Sequence, residues 1–380
     1  MANLAEISPH ELARGLENGT RIQVLDIRAP ERVAAGAIAV PSPSRFHNMP
    51  GSQLVRAGGG EAIGLDPAVP VAVVCGHGNS SKQIAAWLGA QGFDARSLRG
   101  GMARWMATVL PRPLAAPAGF DVLTQFDRLG KGALGYLLGQ GGEAVVIDPP
   151  RATDPILAAA ETSGLRITAV LDTHLHADYV SGGPSLAVRL GVAYHLHPAD
   201  AVYPYDGTPG RLGFTPLADG QRIPVGAAAL TVVHTPGHTE GSVTFLGDDA
   251  VAFTGDFVFV RSVGRPDLAG RADAWTDALW LSVERARREW PADLVVRPAH
   301  YVSDAERMAD RGVGGRFGDL LKTNEPLALR TRDAFRAWVL TRTREAPEAY
   351  RAIKALNLAL RVAGEAEIED LEGGKNECAV

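Results

Sequence analysis

Two clusters of side chains in this chain could do chemistry. In Thr173-His174-Leu175-His176-Ala177-Asp178-Tyr179, two imidazoles and a carboxylate fall within one short loop. His234-Thr-Pro-Gly-His238, Phe253-Thr-Gly-Asp256 and Pro298-Ala-His300 follow in that order. Imidazole nitrogen and carboxylate oxygen are the common protein donors to divalent metals, so the set reads as a metal centre. One histidine pair alone would say little, but four elements in this order are specific. The second cluster is Cys75, which ends an apolar run and opens Gly76-His77-Gly78-Asn79-Ser80-Ser81. A glycine-rich turn into a helix points backbone N–H groups and the positive helix end at the sulfur. A thiolate, the reactive form, is favoured there. Cys75 is therefore a candidate nucleophile, and Gly76, Gly78, Asn79, Ser80 and Ser81 are its anion cradle.

Alternating strands and helices must position these groups. Ser8-Pro9-His10-Glu11 carries the signature of a capped helix start. Residues 22–27 and 71–75 read as buried strands, and Ser80 opens a helix to residue 91. Further on, strands are expected at 133–139, 144–148, 167–171, 230–234, 242–247 and 250–253, with a helix at 154–163. From residue 276 the pattern is mostly helical. Prolines 111, 113 and 117 mark a connector. The expected division is 1–112, a linker at 113–119, a metal domain at 120–360, and an acidic tail at 361–380 that is mobile unless docked. His195 and His197 read as structural, His234 as shaping the loop before His238, and the tryptophans as packing groups. Cys378 reads as inert rather than as a thiol that reaches a site on its own or another protomer, because nothing near it in sequence lowers a thiol pKa.

Composition removes other classes. The 380 residues suffice for about two domains. With 46% hydrophobic and 21% charged residues the chain is not of the disordered type. A net charge of −5 argues against binding nucleic acid through bulk charge. No apolar run is long enough for a membrane span. Two cysteines exclude a disulfide framework and fit a reducing compartment. With no secretory signal read at the start, a cytoplasmic location is expected.

Residues 5–110 resemble a rhodanese domain, through Asp26-Ile27-Arg28, the Cys75–Ser81 loop and Leu98-Arg-Gly-Gly-Met-Ala-Arg-Trp105. The resemblance implies a small parallel α/β domain that carries sulfane sulfur as a persulfide on Cys75. The family often has arginine where this chain has Ser80. That leaves sulfur acceptance intact and puts a preference for thiosulfate in question.

Residues 120–310 resemble the metallo-β-lactamase fold, an αβ/βα sandwich. The resemblance implies a first metal position drawing on His174, His176, His238 and Asp256. It implies a second drawing on Asp178, residue 179, His300 and a bridging Asp256. Dinuclear hydrolases of the fold usually have histidine where this chain has Tyr179, and a phenol is the poorer ligand. The second position is therefore read as vestigial and one metal is expected. His174, His238 and Asp256 form a two-histidine, one-carboxylate face, which suits Fe(II) and O2 chemistry; zinc is the alternative. His176 is either a further ligand or a supporting group. Phe253 to Arg261 with Gly264-Arg265-Pro266-Asp267-Leu268 is similar to persulfide dioxygenases, which implies oxidation of a persulfide to sulfite. Arg265 and Asp267 would then be catalytic groups beside the metal or the substrate, with a structural Arg–Asp pair as the alternative. The partners implied are a low-molecular-weight thiol persulfide, O2, and sulfite or thiosulfate, with neither nucleic acid nor membrane and with a homodimer left open. The competing readings are a zinc thioester hydrolase of the glyoxalase II type and a sulfur carrier or sensor with a degenerate metal domain.

Overall fold

The structure is a computed structural model that describes residues 5–267, 269–374 and 376–378. The chain divides into two compact units, one running to Leu110 and the other taking most of the chain from Pro111.

The first unit is built on a five-stranded parallel sheet ordered Glu6–Ile7, Ala95–Leu98, Val71–Val74, Gln23–Asp26, Arg45–Asn48. The two inner strands Gln23–Asp26 and Val71–Val74 are buried at every position. That explains their unbroken apolar runs, because helices cover both faces of a parallel sheet. Leu12, Leu16, Val24, Ala72 and Trp105 pack on one face; Leu25, Leu54, Val73, Ala85 and Leu88 pack on the other. The helix Pro9–Glu17 begins with the expected capping box, in which Ser8 and Glu11 satisfy each other's N–H groups. The helix Ser80–Ala90 starts just beyond the Cys75 turn.

The second unit holds two sheets. The first runs Thr215–Pro216, Ala193–Leu196, Arg166–Leu171, Glu143–Ile147, Ala133–Gln140, Val122–Arg128, Val109–Leu114. The second runs Arg222–Val225, Ala228–His234, Val243–Gly247, Val251–Gly255, Val295–Pro298, Gly315–Arg316. Leu138, Val145, Leu171, Val232, Phe245 and Phe253 belong to the core the two sheets share. On the far face of the second sheet, Ala252 and Val296 meet Leu279 and Val283 of the helix Ala272–Glu289 and Val339 of the helix Arg332–Leu340. The helices Asp154–Thr162 and Gly183–Leu190 pack beside the strand Arg166–Leu171 of the first sheet. The layering is helix, sheet, sheet, helix.

Three segments add detail to the sequence expectation. The proline connector begins as a strand, Val109–Leu114. It lies at the edge of its sheet, where Pro111 and Pro113, two residues apart, can turn their missing donors to the unpaired side. The region after 276 is not wholly helical, since Val295–Pro298 inserts as a strand parallel to Val251–Gly255. Four residues, Val-Val-Arg-Pro, between helices are too few for periodicity to assign. The acidic segment, expected to be mobile unless docked, contains a helix, Glu365–Leu371, and beyond it Glu372 and Cys378 are buried. No helix among the described residues is long and apolar enough to cross a membrane.

Candidate metal centre

Every element of the histidine pattern sits at a strand end. The loop bearing His174, His176, Asp178 and Tyr179 leaves the strand Arg166–Leu171. His238 follows the strand Ala228–His234, Asp256 follows Val251–Gly255, and His300 follows Val295–Pro298. All seven residues are buried, none more than 2% exposed. The sandwich therefore gathers them from segments far apart in sequence.

Within this cluster His174, His238 and Asp256 form one group whose donor atoms all lie within 4.8 Å of one another. Asp256 Oδ2 lies 3.4 Å from His238 Nε2 and 3.8 Å from His174 Nε2. None of these three atoms has a hydrogen-bond partner. Buried polar atoms are nearly always satisfied, and leaving three together without partners costs several kcal/mol unless a cation joins them. Ligands about 2.1 Å from one metal stand roughly 3.0–3.4 Å apart, so small adjustments suffice to hold one. The residues present therefore fit a metal ion.

The outer contacts turn the right nitrogens inward. Thr173 Oγ1 donates its proton to Asp148 at 2.9 Å, so it can only accept from His174 Nδ1, also 2.9 Å away. The His174 lone pair is thereby left on Nε2. His238 Nδ1 faces the Arg265 main-chain carbonyl at 3.0 Å, and a carbonyl only accepts, so its Nε2 is likewise bare. Such second contacts fix tautomer and ring orientation around a metal. Burial holds the His174 pKa well below its usual value, and the neighbouring imidazoles add to this. Burial also pulls His238 down to about 4, against the attraction of Asp256. Both rings are neutral near pH 7, the state that binds metal.

His176 stands apart. Its Nε2 lies 3.3 Å from Asp148 and 3.1 Å from the Tyr179 hydroxyl, and it groups with Asp148 and Asp172 rather than with the triad. Burial opposes a charge there, but hydrogen bonds to Asp148 and Asp172 outweigh it and hold the His176 pKa well above the usual value. Its Nδ1 has no partner. Tyr179 stacks on His176, with ring centroids 4.4 Å apart, and its ring is 6.2 Å from His300. On the other side of Asp256, His300 Nδ1 lies 2.7 Å from Asp256 Oδ1 and its Nε2 lies 3.1 Å from Asp178 Oδ2. Burial is outweighed by these two carboxylates, and the His300 pKa is pushed up to about 10. Asp178, Tyr179 and His300 thus neighbour the triad without joining it.

Arg265 and Asp267 form a buried pair, Nη2 to Oδ2 at 2.7 Å. The guanidinium also donates to the main-chain oxygens of Arg344 and Glu377. Gly264 lets this segment pass, since a Cβ there would fall 1.8 Å from the Asp256 main-chain oxygen and 2.9 Å from His238 Cβ. His195 lies in the strand Ala193–Leu196, and His197 stacks on His234 at 4.3 Å. His234 Nε2 contacts the Glu240 main-chain oxygen at 2.9 Å, across the loop that bears His238. Trp275, Trp280 and Trp290 are buried.

Sequence reasoning passed over Asp148, Asp172, Tyr350 and Lys354. Asp148 could have been noticed, as an acid at the end of an apolar strand. Lys354 is a fully buried cation without a hydrogen-bond partner, and burial, against Asp200, lowers its pKa to about 8. It lines a cavity of about 200 Å3 with Leu175, Tyr203, Thr239, Arg271 and Trp275.

The first unit holds the sulfur loop. Cys75 Sγ receives the Gly78 N–H at 3.1 Å and lies 3.1 Å from Ser81 Oγ, which pairs with Ser97 Oγ at 2.8 Å. Burial raises a thiol pKa, but hydrogen bonds from the Ser80 and Ser81 side chains and from backbone N–H groups outweigh it, and Cys75 is lowered to about 7. Gly78 has φ +81°, and a Cβ on it would meet Gly100 N at 2.8 Å. Gly76 and Asn79 complete the turn, and the Asn79 side chain makes no capping hydrogen bond to the helix at Ser80.

The family model described as the metallo-beta-lactamase superfamily matches residues 131–305. That of the rhodanese-like domain matches residues 8–108. A hydroxyacylglutathione hydrolase of Acidiphilium cryptum is 39% identical over 130 residues, 34% of this chain and 51% of that protein. The mitochondrial persulfide dioxygenase ETHE1 of Homo sapiens is 35% identical over 171 residues, 43% of this chain and 62% of that protein. The chain thus spans between half and two thirds of the length of these two relatives. Among solved structures, a metallo-beta-lactamase from Staphylococcus aureus has 26% identity and a TM-score of 0.54, over 64% of this chain and 72% of that one.

Proposed function

We propose a function from the premise that the chain belongs to the metallo-beta-lactamase superfamily and carries a rhodanese-like domain: it oxidises a low-molecular-weight thiol persulfide to sulfite at one non-haem iron, and it transfers sulfane sulfur at Cys75. The net change is R–S–SH, O2 and water giving R–SH, sulfite and two protons. The observation that carries this reading is the inward-facing triad His174 Nε2, His238 Nε2 and Asp256 Oδ2, beside a position where Tyr179 replaces an imidazole donor. The likeness to a human persulfide dioxygenase supports it.

His174, His238 and Asp256 would hold the iron. Iron held there would supply Lewis acidity and redox capacity toward a persulfide and O2. Thr173 and the Arg265 carbonyl keep the two imidazoles oriented. His176, tied to Asp148 and Tyr179, braces the triad edge-on to His174, with ring centroids 4.3 Å apart. Asp178 and His300 hold the far side of Asp256. Arg265 and Asp267 position rather than react, because the guanidinium is committed to protein oxygens. The cavity with Arg271 and Lys354 suits a carrier thiol bearing a carboxylate. At Cys75 the thiolate takes a sulfur atom from a persulfide and hands it to a thiol or to sulfite, and each transfer exchanges one S–S bond for another or for the S–S bond of thiosulfate.

The test is anaerobic purification, metal analysis and an oxygen electrode with glutathione persulfide as substrate. About one iron per chain and one O2 consumed per persulfide are expected. Two zinc ions, thioester hydrolysis and no O2 uptake would overturn the reading. That outcome would favour the second one, a zinc thioester hydrolase, which the 39% identity to a hydroxyacylglutathione hydrolase supports.

A further inference from the structure

Cys378 lies far from the histidine motifs in sequence, yet its side chain is 0% exposed and packs with Ala177 and Tyr350 inside the second unit. Its sulfur, a carboxylate oxygen of Asp256 and a ring nitrogen of His300 lie within 4.8 Å of one another. Asp256 belongs equally to the triad, and its fully buried Oδ2 has no partner. The thiol therefore borders Asp256, the carboxylate that this group shares with the triad.

The placement is built by several contacts. The Arg265 N–H donates to the Cys378 carbonyl at 3.0 Å, and Arg265 Nη1 donates to the Glu377 carbonyl at 3.1 Å. The Glu377 N–H donates to Tyr350 Oη at 3.0 Å, and the Glu377 carboxylate pairs with Arg344 at 3.3 Å. The Cys378 N–H donates to Asn376 Oδ1 at 2.7 Å. Arg265 is the same residue whose carbonyl orients His238. The strap and the metal ligand are thus fixed by one residue.

We propose that Cys378 is an intrinsic sulfur donor to the metal centre, delivered by residues 376–378 to the open side bounded by Asp256 and His300, where it holds the place a substrate's sulfur must take. The thiol gives its proton to buffer and a lone pair to the metal; no electron is transferred. Thiolate is the softest donor available to this centre, which otherwise has only nitrogen and oxygen. The segment must swing aside, or lose its bond, before a persulfide can bind. This rests on the metal-binding part of the function proposed above and not on its O2 chemistry.

The experiment uses the full chain loaded with cobalt(II) alone. A thiolate-to-cobalt charge-transfer absorption in the near ultraviolet is expected, kept in Cys75→Ser and lost in both Cys378→Ser and Cys378→Ala. Glutathione added to the cobalt-loaded Cys378→Ser protein should bring a band back, and its failure to do so would overturn the shared place. Alkylation of Cys378, read by peptide mass, should be at least about tenfold slower with cobalt than without. Cobalt bound with no such band, or a band that survives loss of Cys378, would overturn the proposal while leaving O2 uptake as a separate result. A chain that binds no cobalt would overturn this proposal and the metal site together. A band without O2 uptake by the iron form would sink the dioxygenase reading and spare this one.

Discussion

Around Cys75 the working groups lie within residues 75–81, and several are backbone N–H groups. Around Asp256 the histidine and carboxylate donors come from segments between 148 and 300, and all of them are side chains beyond the ends of strands from two sheets. A site made from one turn depends on the shape of that turn and on a single sulfur atom. A site made across a sandwich depends on the packing of the whole unit and on the partners that hold each ligand. The first should fail by losing one residue; the second should weaken by degrees as its outer contacts are removed.

The largest expected effect separates the two. His238→Ala removes one of three donors, so metal affinity should fall by more than about 100-fold and O2 uptake with it. Sulfur transfer at Cys75 should stay within about twofold of the parent, by a thiosulfate-to-thiol assay. Equal loss of both activities in a folded protein would erase the contrast. The converse variant, Cys75→Ser, should abolish sulfur transfer and the added sulfur seen by mass spectrometry. Iron content and oxidation of a small persulfide should be unchanged, because serine cannot form a persulfide.

Smaller effects sharpen the picture. Asp148→Asn alters the carboxylate that receives Thr173 Oγ1 and faces His176. Metal affinity should drop about 10–100-fold in anaerobic titration, with the triad itself intact. Tyr179→His returns an imidazole to the position beside Asp178, Asp256 and His300. It should raise the binding of a second metal, and identical stoichiometry in parent and variant would mean that residue 179 does not set nuclearity.

The smallest effect concerns pH at the sulfur loop. The lowered Cys75 pKa means that thiolate, and hence alkylation by iodoacetamide, should rise with pH to a midpoint near 7 rather than 9. Ser81→Ala removes one stabilising hydrogen bond and should move that midpoint upward by up to about one unit. The stability supplied by the lowered pKa is complete above the ordinary thiol pKa and vanishes as pH falls through about 7.

Much of both sites was legible before any coordinates. The Cys75 turn is contiguous, so glycine, serine and the apolar run before them carry the whole argument. His174, His238 and Asp256 each follow a strand whose pattern is visible in its own window. What was not legible came from elsewhere. Asp148 precedes Thr173 by 25 residues, and their meeting needs the pairing of Glu143–Ile147 with Arg166–Leu171. Cys378 looked inert because its neighbours in sequence are acidic and polar. Its surroundings in space are Asp256, His300 and Tyr350, which no local window contains. The strand before His300 was missed because Val295–Pro298 is short and lies between helices.

Asp148 also has a backbone φ of 47°. Aspartate, like asparagine, enters that left-handed conformation more readily than other side chains but less readily than glycine, and this one is a buried carboxylate as well. Selection acting on fold stability alone would place glycine or asparagine at residue 148. Retaining aspartate there amounts to a standing tax on the fold, levied so that Thr173 and His176 stay aligned.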